Sequence, residues 1–170
     1  AAVWPLDPPQ LDNVLATAGR EPLKFILLDQ LSDPRNVGAI MRSARAFGVT
    51  AIIATHRNTP EESGALARTA TGALEHVPMV RVVNLSRAIQ KLQAADITVA
   101  GLASDGAMRV QSLSQFPRLA VVVGSEGPGL RRLTRKHCDH LVRIEINNDA
   151  DSLNVSNAAA IALYAASTKA

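Results

Sequence analysis

The sequence is poor in the residues that mark several protein classes. One cysteine, Cys138, occurs among 170 residues. No intrachain disulfide can form, so a reducing compartment, the cytoplasm, is the expected location. Aromatic residues make up 3%. The core must therefore be built from Ala, Val, Leu and Ile, and little aromatic surface is left for stacking bases, the device of many single-strand binders. No apolar run approaches the roughly 18 residues of a membrane span, and the start has no secretory pattern, so no membrane partner is expected. The histidines His56, His76, His137 and His140 are scattered, and no Cys/His set has zinc spacing. Asp149 and Asp151 lack the spaced ligands of a calcium loop, so no metal is expected. The chain begins with Ala1 rather than Met, as a processed chain or an excised domain would.

What is present is ordinary globular material. Hydrophobic residues make up 47% and charged residues 19%, with a net charge of +3. This composition is not that of a disordered chain, and the length suits one domain. The positive balance permits a polyanionic partner without demanding one.

Residues 1–22 are rich in proline (Pro5, Pro8, Pro9, Pro22) and hold the only tryptophan, Trp4. They read as an arm or linker with a short helix around Leu11–Ala18. Residues 23–170 read as the main domain. Short, mostly apolar runs at Lys24–Leu28, Ala51–Ala54, Val80–Val83, Ile97–Leu102, Leu119–Val123 and Leu141–Ile146 predict strands, and those that are apolar throughout rather than alternating suggest burial on both faces. Between them lie helical patterns at Asn36–Phe47, Glu61–Leu66, Ser86–Ala95, Leu130–Cys138 and Ser152–Ser167. Strands alternating with helices predict an α/β fold with a parallel sheet of about six strands. Ligands in such sheets sit beyond the carboxyl ends of the strands, which directs attention to the loops after Leu28, Leu102, Val123 and Ile146.

Three segments at or near that edge have unusual chemistry. In Asp33–Arg45, Asn36 can cap a helix, Gly38 permits a close backbone approach, and Arg42 and Arg45 share a face; a helix start with arginines suits a phosphate. A capped surface helix with solvated arginines explains the same residues. Gly124-Ser-Glu-Gly-Pro-Gly-Leu130 follows LAVVV and forms a tight turn with Glu126 as its only acid. Its glycine order is not that of a dinucleotide fingerprint, and no Walker lysine follows, which disfavours a nucleotide-cofactor oxidoreductase. A plain strand-to-helix turn is the bland alternative. Asn147–Ser156 offers Ser152, Asn154 and Ser156 as uncharged hydrogen-bonding groups, or as a capping run. The basic run Arg131, Arg132, Arg135, Lys136 is equally a solvated face or an RNA contact.

Taken in this order and spacing, Asn36-x-Gly38-x-x-x-Arg42, Gly124–Leu130 and Ser152-Leu-Asn-Val-Ser-Asn-Ala-Ala-Ala160 resemble the SpoU (TrmH-like) branch of the SPOUT methyltransferases, over about residues 23–168. The stretches 129–139 and Arg81–Leu92 are similar to those of bacterial 23S rRNA guanosine 2′-O-methyltransferases. The resemblance implies a C-terminal trefoil knot, a homodimer, and S-adenosylmethionine-dependent 2′-O-ribose methylation of RNA, with rRNA as the expected partner. Alternatives are a tRNA target and a non-catalytic RNA-binding module on the same fold. Many members carry an additional N-terminal RNA-binding domain, where this sequence has the Pro-rich arm.

Residue by residue, the resemblance implies catalysis by Arg42 with Asn36, Glu126, Ser152 and Asn154. It implies cofactor binding at Leu102, Ala103, Gly124, Ser125, Gly129, Ile144, Ile146 and Leu153. A guanidinium stays protonated, with a pKa above about 12. Arg42 is therefore expected to hold a phosphate and stabilise oxyanion character on the 2′-oxygen rather than to act as a base. Glu126 is expected to hold Arg42 by a charge-assisted bond.

Overall fold

The structure, a computed structural model, describes residues 9–61, 64–70 and 72–168. Residues 1–8 of the Pro-rich arm, with Trp4, lie outside this set. Seven strands form one sheet: β1 (Leu23–Asp29), β2 (Ala51–Thr55), β3 (Met79–Val82), β4 (Thr98–Leu102), β5 (Met108–Arg109), β6 (Arg118–Gly124) and β7 (His140–Arg143). Their order is β3-β2-β1-β6-β4-β7-β5, and every pairing is parallel. The helices are α1 (Leu11–Thr17), α2 (Pro34–Ala46), α3 (Gly64–Ala70), α4 (Leu85–Ala94), α5 (Arg132–His137) and α6 (Val155–Ser167).

The apolar runs become strands because both of their faces are covered. Along β1, Ile26 and Leu28 enter a core shared with α2, α3 and α6, while Phe25 and Leu27 enter a second core with α1 and α4. All four are fully buried, and burial of such a side chain contributes roughly 1.5–3 kcal/mol. The exception on β1 is its last residue, Asp29, a carboxylate as deeply buried as its neighbours.

Helix starts are set by local chemistry. Pro34 opens α2, and the Asp33 side chain accepts from the Arg35 amide at 2.9 Å, so Asp33 is the cap and Asn36 lies within the first turn. Asn84 caps α4 through the Arg87 amide. Asn154 caps α6 through the Ser156 amide at 2.8 Å. Gly38 allows α2 to approach α3, since a Cβ there would stand 2.6 Å from the Thr69 Cβ.

Several expected boundaries move. The strand expected over Leu141–Ile146 ends at Arg143, and the helix expected from Ser152 begins at Val155. The residues between become a polar connection, which is where the cap chemistry of Asn154 places the helix start. The helix expected over Glu61–Leu66 lies at Gly64–Ala70, with residues 62 and 63 outside the described set. The two-residue β5 was not expected, being too short to show a pattern.

β7 is inserted between β4 and β5, although β4 and β5 are consecutive in the chain. Their connection, residues 103–107, must pass across β7. Ala103 donates its amide to the Val142 carbonyl at 2.9 Å. A Cβ on Gly106 would stand 2.6–2.8 Å from the backbone of Val142 and Arg143. Arg143 clamps the connection by donating from Nη1 to the carbonyls of Gly106 and Ala107 at 3.0 and 2.9 Å.

Candidate active site

The carboxyl ends of β4, β6 and β7 and the start of α6 surround a cavity of about 480 Å³, within the size range of small-molecule sites. Leu102 and Ala103 enter from the end of β4, Gly124, Ser125 and Gly129 from the loop after β6, Ile144 and Ile146 from the segment after β7, and Leu153 from the approach to α6. All eight residues assigned to cofactor binding on the resemblance thus line one cavity. Ser104, Glu126, Gly127, Asp151, Ser152, Asn154 and Val155 line it too.

Val142, Ile144 and Ile146 stand at alternate positions and so face the cavity together, and Ile146 remains 38% exposed. Such a wall suits a flat apolar group.

The glycines of the β6 loop have distinct reasons. Gly124 lies against the returning chain, where a Cβ would stand 2.2–2.4 Å from the backbone of Gly129 and Leu130. Gly127 and Gly129 have φ of 82° and 69°, in the left-handed region that favours glycine. The loop closes through the Gly129 amide on the Ser125 carbonyl at 2.9 Å.

Three of the residues assigned to catalysis meet beside the cavity. Asn154 donates from Nδ2 to Glu126 Oε1 at 2.8 Å and to Asn36 Oδ1 at 3.2 Å. Asn36 donates from Nδ2 to the same Glu126 oxygen at 3.4 Å. Residues from α2, the β6 loop and the α6 cap are thereby joined. Ser152 lines the cavity but makes no side-chain hydrogen bond among the described residues.

Arg42 is placed differently from the expectation. It lies in the second half of α2, is exposed, and makes no hydrogen bond or ion pair among the described residues. Glu126 accepts from the two asparagines and does not hold Arg42. The asparagine amides reach the carboxylate from two elements, while Arg42 stands six residues beyond Asn36 along α2. Arg35 itself is committed to Asp33, at 3.0 Å, and this pair holds the Asp33 carboxyl below its ordinary range.

A buried interaction behind the loop escaped the sequence reading. Asp29 accepts from the Arg131 amide at 2.9 Å and from Arg131 Nε at 2.6 Å. The only signal was an acid closing the apolar run Phe25–Leu28. On the far side of the sheet, burial pushes the Cys138 thiol up to about 12, and its Sγ donates to the Thr134 carbonyl. His137 bonds the Leu133 carbonyl and His140 stacks on Phe116, so this cluster is engaged in packing. No metal-ligating group of His, Cys, Asp or Glu occurs among the described residues, nor is any helix there long and apolar enough to cross a membrane.

Comparison with known proteins agrees with this geometry. The SpoU rRNA Methylase family profile matches residues 24–164. The 23S rRNA (guanosine-2′-O-)-methyltransferase RlmB of Xylella fastidiosa (strain Temecula1) is 39% identical over 166 residues, covering 98% of this chain and 66% of its own. The Escherichia coli K12 protein of the same name is 41% identical over 142 residues, 84% of this chain and 58% of its own. The SpoU methyltransferase AviRb of Streptomyces viridochromogenes, in complex with the cofactor AdoMet, superposes with a TM-score of 0.80 at 30% identity over 86% of this chain and 57% of its own. In each case the chain spans less than two thirds of the relative's length. With the profile matched over most of the chain and the parallel sheet and edge cavity in place, the chain belongs to the SpoU rRNA Methylase family.

Proposed function

We propose that this protein transfers a methyl group from S-adenosylmethionine to a ribose 2′-hydroxyl of RNA, with a guanosine of 23S rRNA as the target. The observation that carries this reading is the cavity at the carboxyl edge, with the Asn36–Glu126–Asn154 cluster beside it. The fit to the cofactor rests on chain features. Gly124 lets the loop return close against the end of β6, which a larger residue would block, and so sets the shape of the cavity edge. Leu102, Ile144, Ile146 and Leu153 offer an apolar slot for an adenine, and Ala103, Ser125 and Gly129 bring backbone groups to it. The cofactor when bound supplies an activated methyl on a sulfonium. Assignment of the rRNA target follows the names of the relatives that share about two fifths of their residues with this chain.

The chain's own contribution is positioning and charge. Asn36, Glu126 and Asn154 form a fixed polar wall that orients the ribose, with Ser152 adding a free hydroxyl. Arg42 has an unengaged guanidinium and binds the phosphate beside the target nucleotide. There it would stabilise negative charge developing on the 2′-oxygen, whose proton would pass to water, while the bound cofactor would supply the methyl and leave as its neutral thioether. The protein works in the cytoplasm, as its lone, buried thiol suits. It acts as a homodimer: α6 exposes Ile161 and Tyr164, three residues apart on one face, an apolar strip suited to a second copy.

The test is methyl transfer from labelled S-adenosylmethionine to rRNA fragments and to tRNA in parallel, with Arg42→Ala alongside. Incorporation into the 23S fragment, lost in the variant while cofactor binding persists, is expected. Transfer to tRNA alone would redirect the target, and no cofactor binding by the unaltered protein would leave an RNA-binding module. Sedimentation equilibrium of the protein and of Tyr164→Glu reads the dimer.

A further inference from the structure

Asp29 is fully buried, and a buried carboxylate costs several kcal/mol unless its charge is compensated. Its partner is one residue. Oδ2 accepts from the Arg131 backbone amide at 2.9 Å and Oδ1 from Arg131 Nε at 2.6 Å. An apolar residue in the same place would bury as well and add stability without this pairing. What a carboxylate adds is direction, because it can be satisfied only if Arg131 stands at one place.

That place matters to the cavity. Asp29 is in register with Gly124 across the β1–β6 pair, and Arg131 follows Leu130, the last residue of the loop. Both ends of the Gly124–Leu130 segment are thus referenced to Asp29, the first by strand pairing and the second by the carboxylate. Between these fixed ends, the loop closes on itself through Ser125 and Gly129 and presents Ser125, Glu126 and Gly129 to the cavity. Asp29 does not line the cavity.

We propose that Asp29 is a positioning residue that, through Arg131, latches the Gly124–Leu130 loop in the shape that receives the cofactor. This rests on the reading of the cavity as the S-adenosylmethionine site. Arg131 is half exposed, with a side-chain accessibility of 49%, so the latch can be opened from the Arg131 side without cutting into the core. Removing a charge-assisted bond at this point weakens cofactor binding about tenfold.

The experiment uses the full chain, Asp29→Asn, Arg131→Ala and the double variant. Calorimetric titration with S-adenosylmethionine is done at a temperature where circular dichroism shows each to be folded. Each single variant should raise Kd about tenfold and the double variant no further, since both break one interaction. Unchanged Kd in the folded single variants, whatever their melting temperatures, would overturn the latch, as would effects that multiply in the double. If Asp29→Asn does not fold, Arg131→Ala keeps the backbone amide on Asp29 and decides alone. Amide hydrogen exchange over Ser125–Arg131 reads the latch without the cofactor. Faster exchange there, with α6 unchanged, supports it, and unchanged exchange opposes it. Faster exchange in variants of a protein that binds no S-adenosylmethionine would sink the cofactor reading and leave the latch standing.

Discussion

The Asn154 side chain serves two elements at once, donating to Glu126 Oε1 at 2.8 Å while its own oxygen accepts from the Ser156 amide at 2.8 Å. One amide thus caps α6 and ties the helix start to the β6 loop. Substitutions can separate the two tasks. Asn154→Asp keeps the capping oxygen but sets a second carboxylate against Glu126, so methyl transfer should fall by more than about tenfold while the melting temperature changes little. Asn154→Ala should lose both, at a cost of about 1 kcal/mol for the cap. Thermal unfolding beside a methyl-transfer assay checks the contrast.

Gly124 and Gly127 lie three residues apart yet should respond differently to alanine. At Gly124 the added Cβ meets backbone at 2.2–2.4 Å, which no rotamer change can relieve. Gly124→Ala should therefore deform the loop and weaken S-adenosylmethionine binding by more than about tenfold. At Gly127 the Cβ meets nothing within 4 Å, but φ is 82°. Gly127→Ala should cost about 1–2 kcal/mol of stability and leave affinity within a few fold. Calorimetry and denaturant melts together decide.

Gly106 marks where the β4–β5 connection crosses β7. With Val142 backbone 2.6 Å from a would-be Cβ, Gly106→Ala should destabilise the protein by about 1–3 kcal/mol or more. Equilibrium urea unfolding of the variant measures this, and unaltered stability would mean that the crossing has slack.

Cys138 should resist alkylation in the folded state. Burial raises its thiol to about 12 from the ordinary 9.0. The thiolate at pH 8 is then on the order of one part in ten thousand, and iodoacetamide should react orders of magnitude faster after unfolding. The folded thiol holds its proton more tightly than the unfolded one. Its contribution to stability is therefore complete below about pH 9 and is lost as pH rises towards about 12. Cys138→Ala should remove that alkaline component from a stability–pH profile.

Much of this architecture was legible in residue patterns. Runs such as FILL and LAVVV have no polar alternate positions, which pointed to strands covered on both faces. The glycine loop and the 152–156 turn announced themselves because turn and cap residues act within a few positions of themselves. Strand ends were less legible. Ile144 and Ile146 continue the apolar run of β7 in sequence, and only the crossing chain and the α6 cap determine that the strand stops at Arg143. The acid closing β1 was visible, but its partner lies 102 residues away.

Local chemistry alone thus pointed to the class of fold, six of the seven strands and the ligand edge of the sheet, because periodicity and turn preference are short-range properties; the eight cofactor positions came from the family resemblance, and all of them line the cavity. Strand order, with β7 between β4 and β5, depended on how distant segments share two cores, and no local pattern encodes that. The tertiary structure likewise decided which side chains meet at the site. Asn36 and Asn154, brought together from helices 118 positions apart, take the Glu126 carboxylate that the sequence reading had given to Arg42, and the guanidinium is left unengaged at the surface.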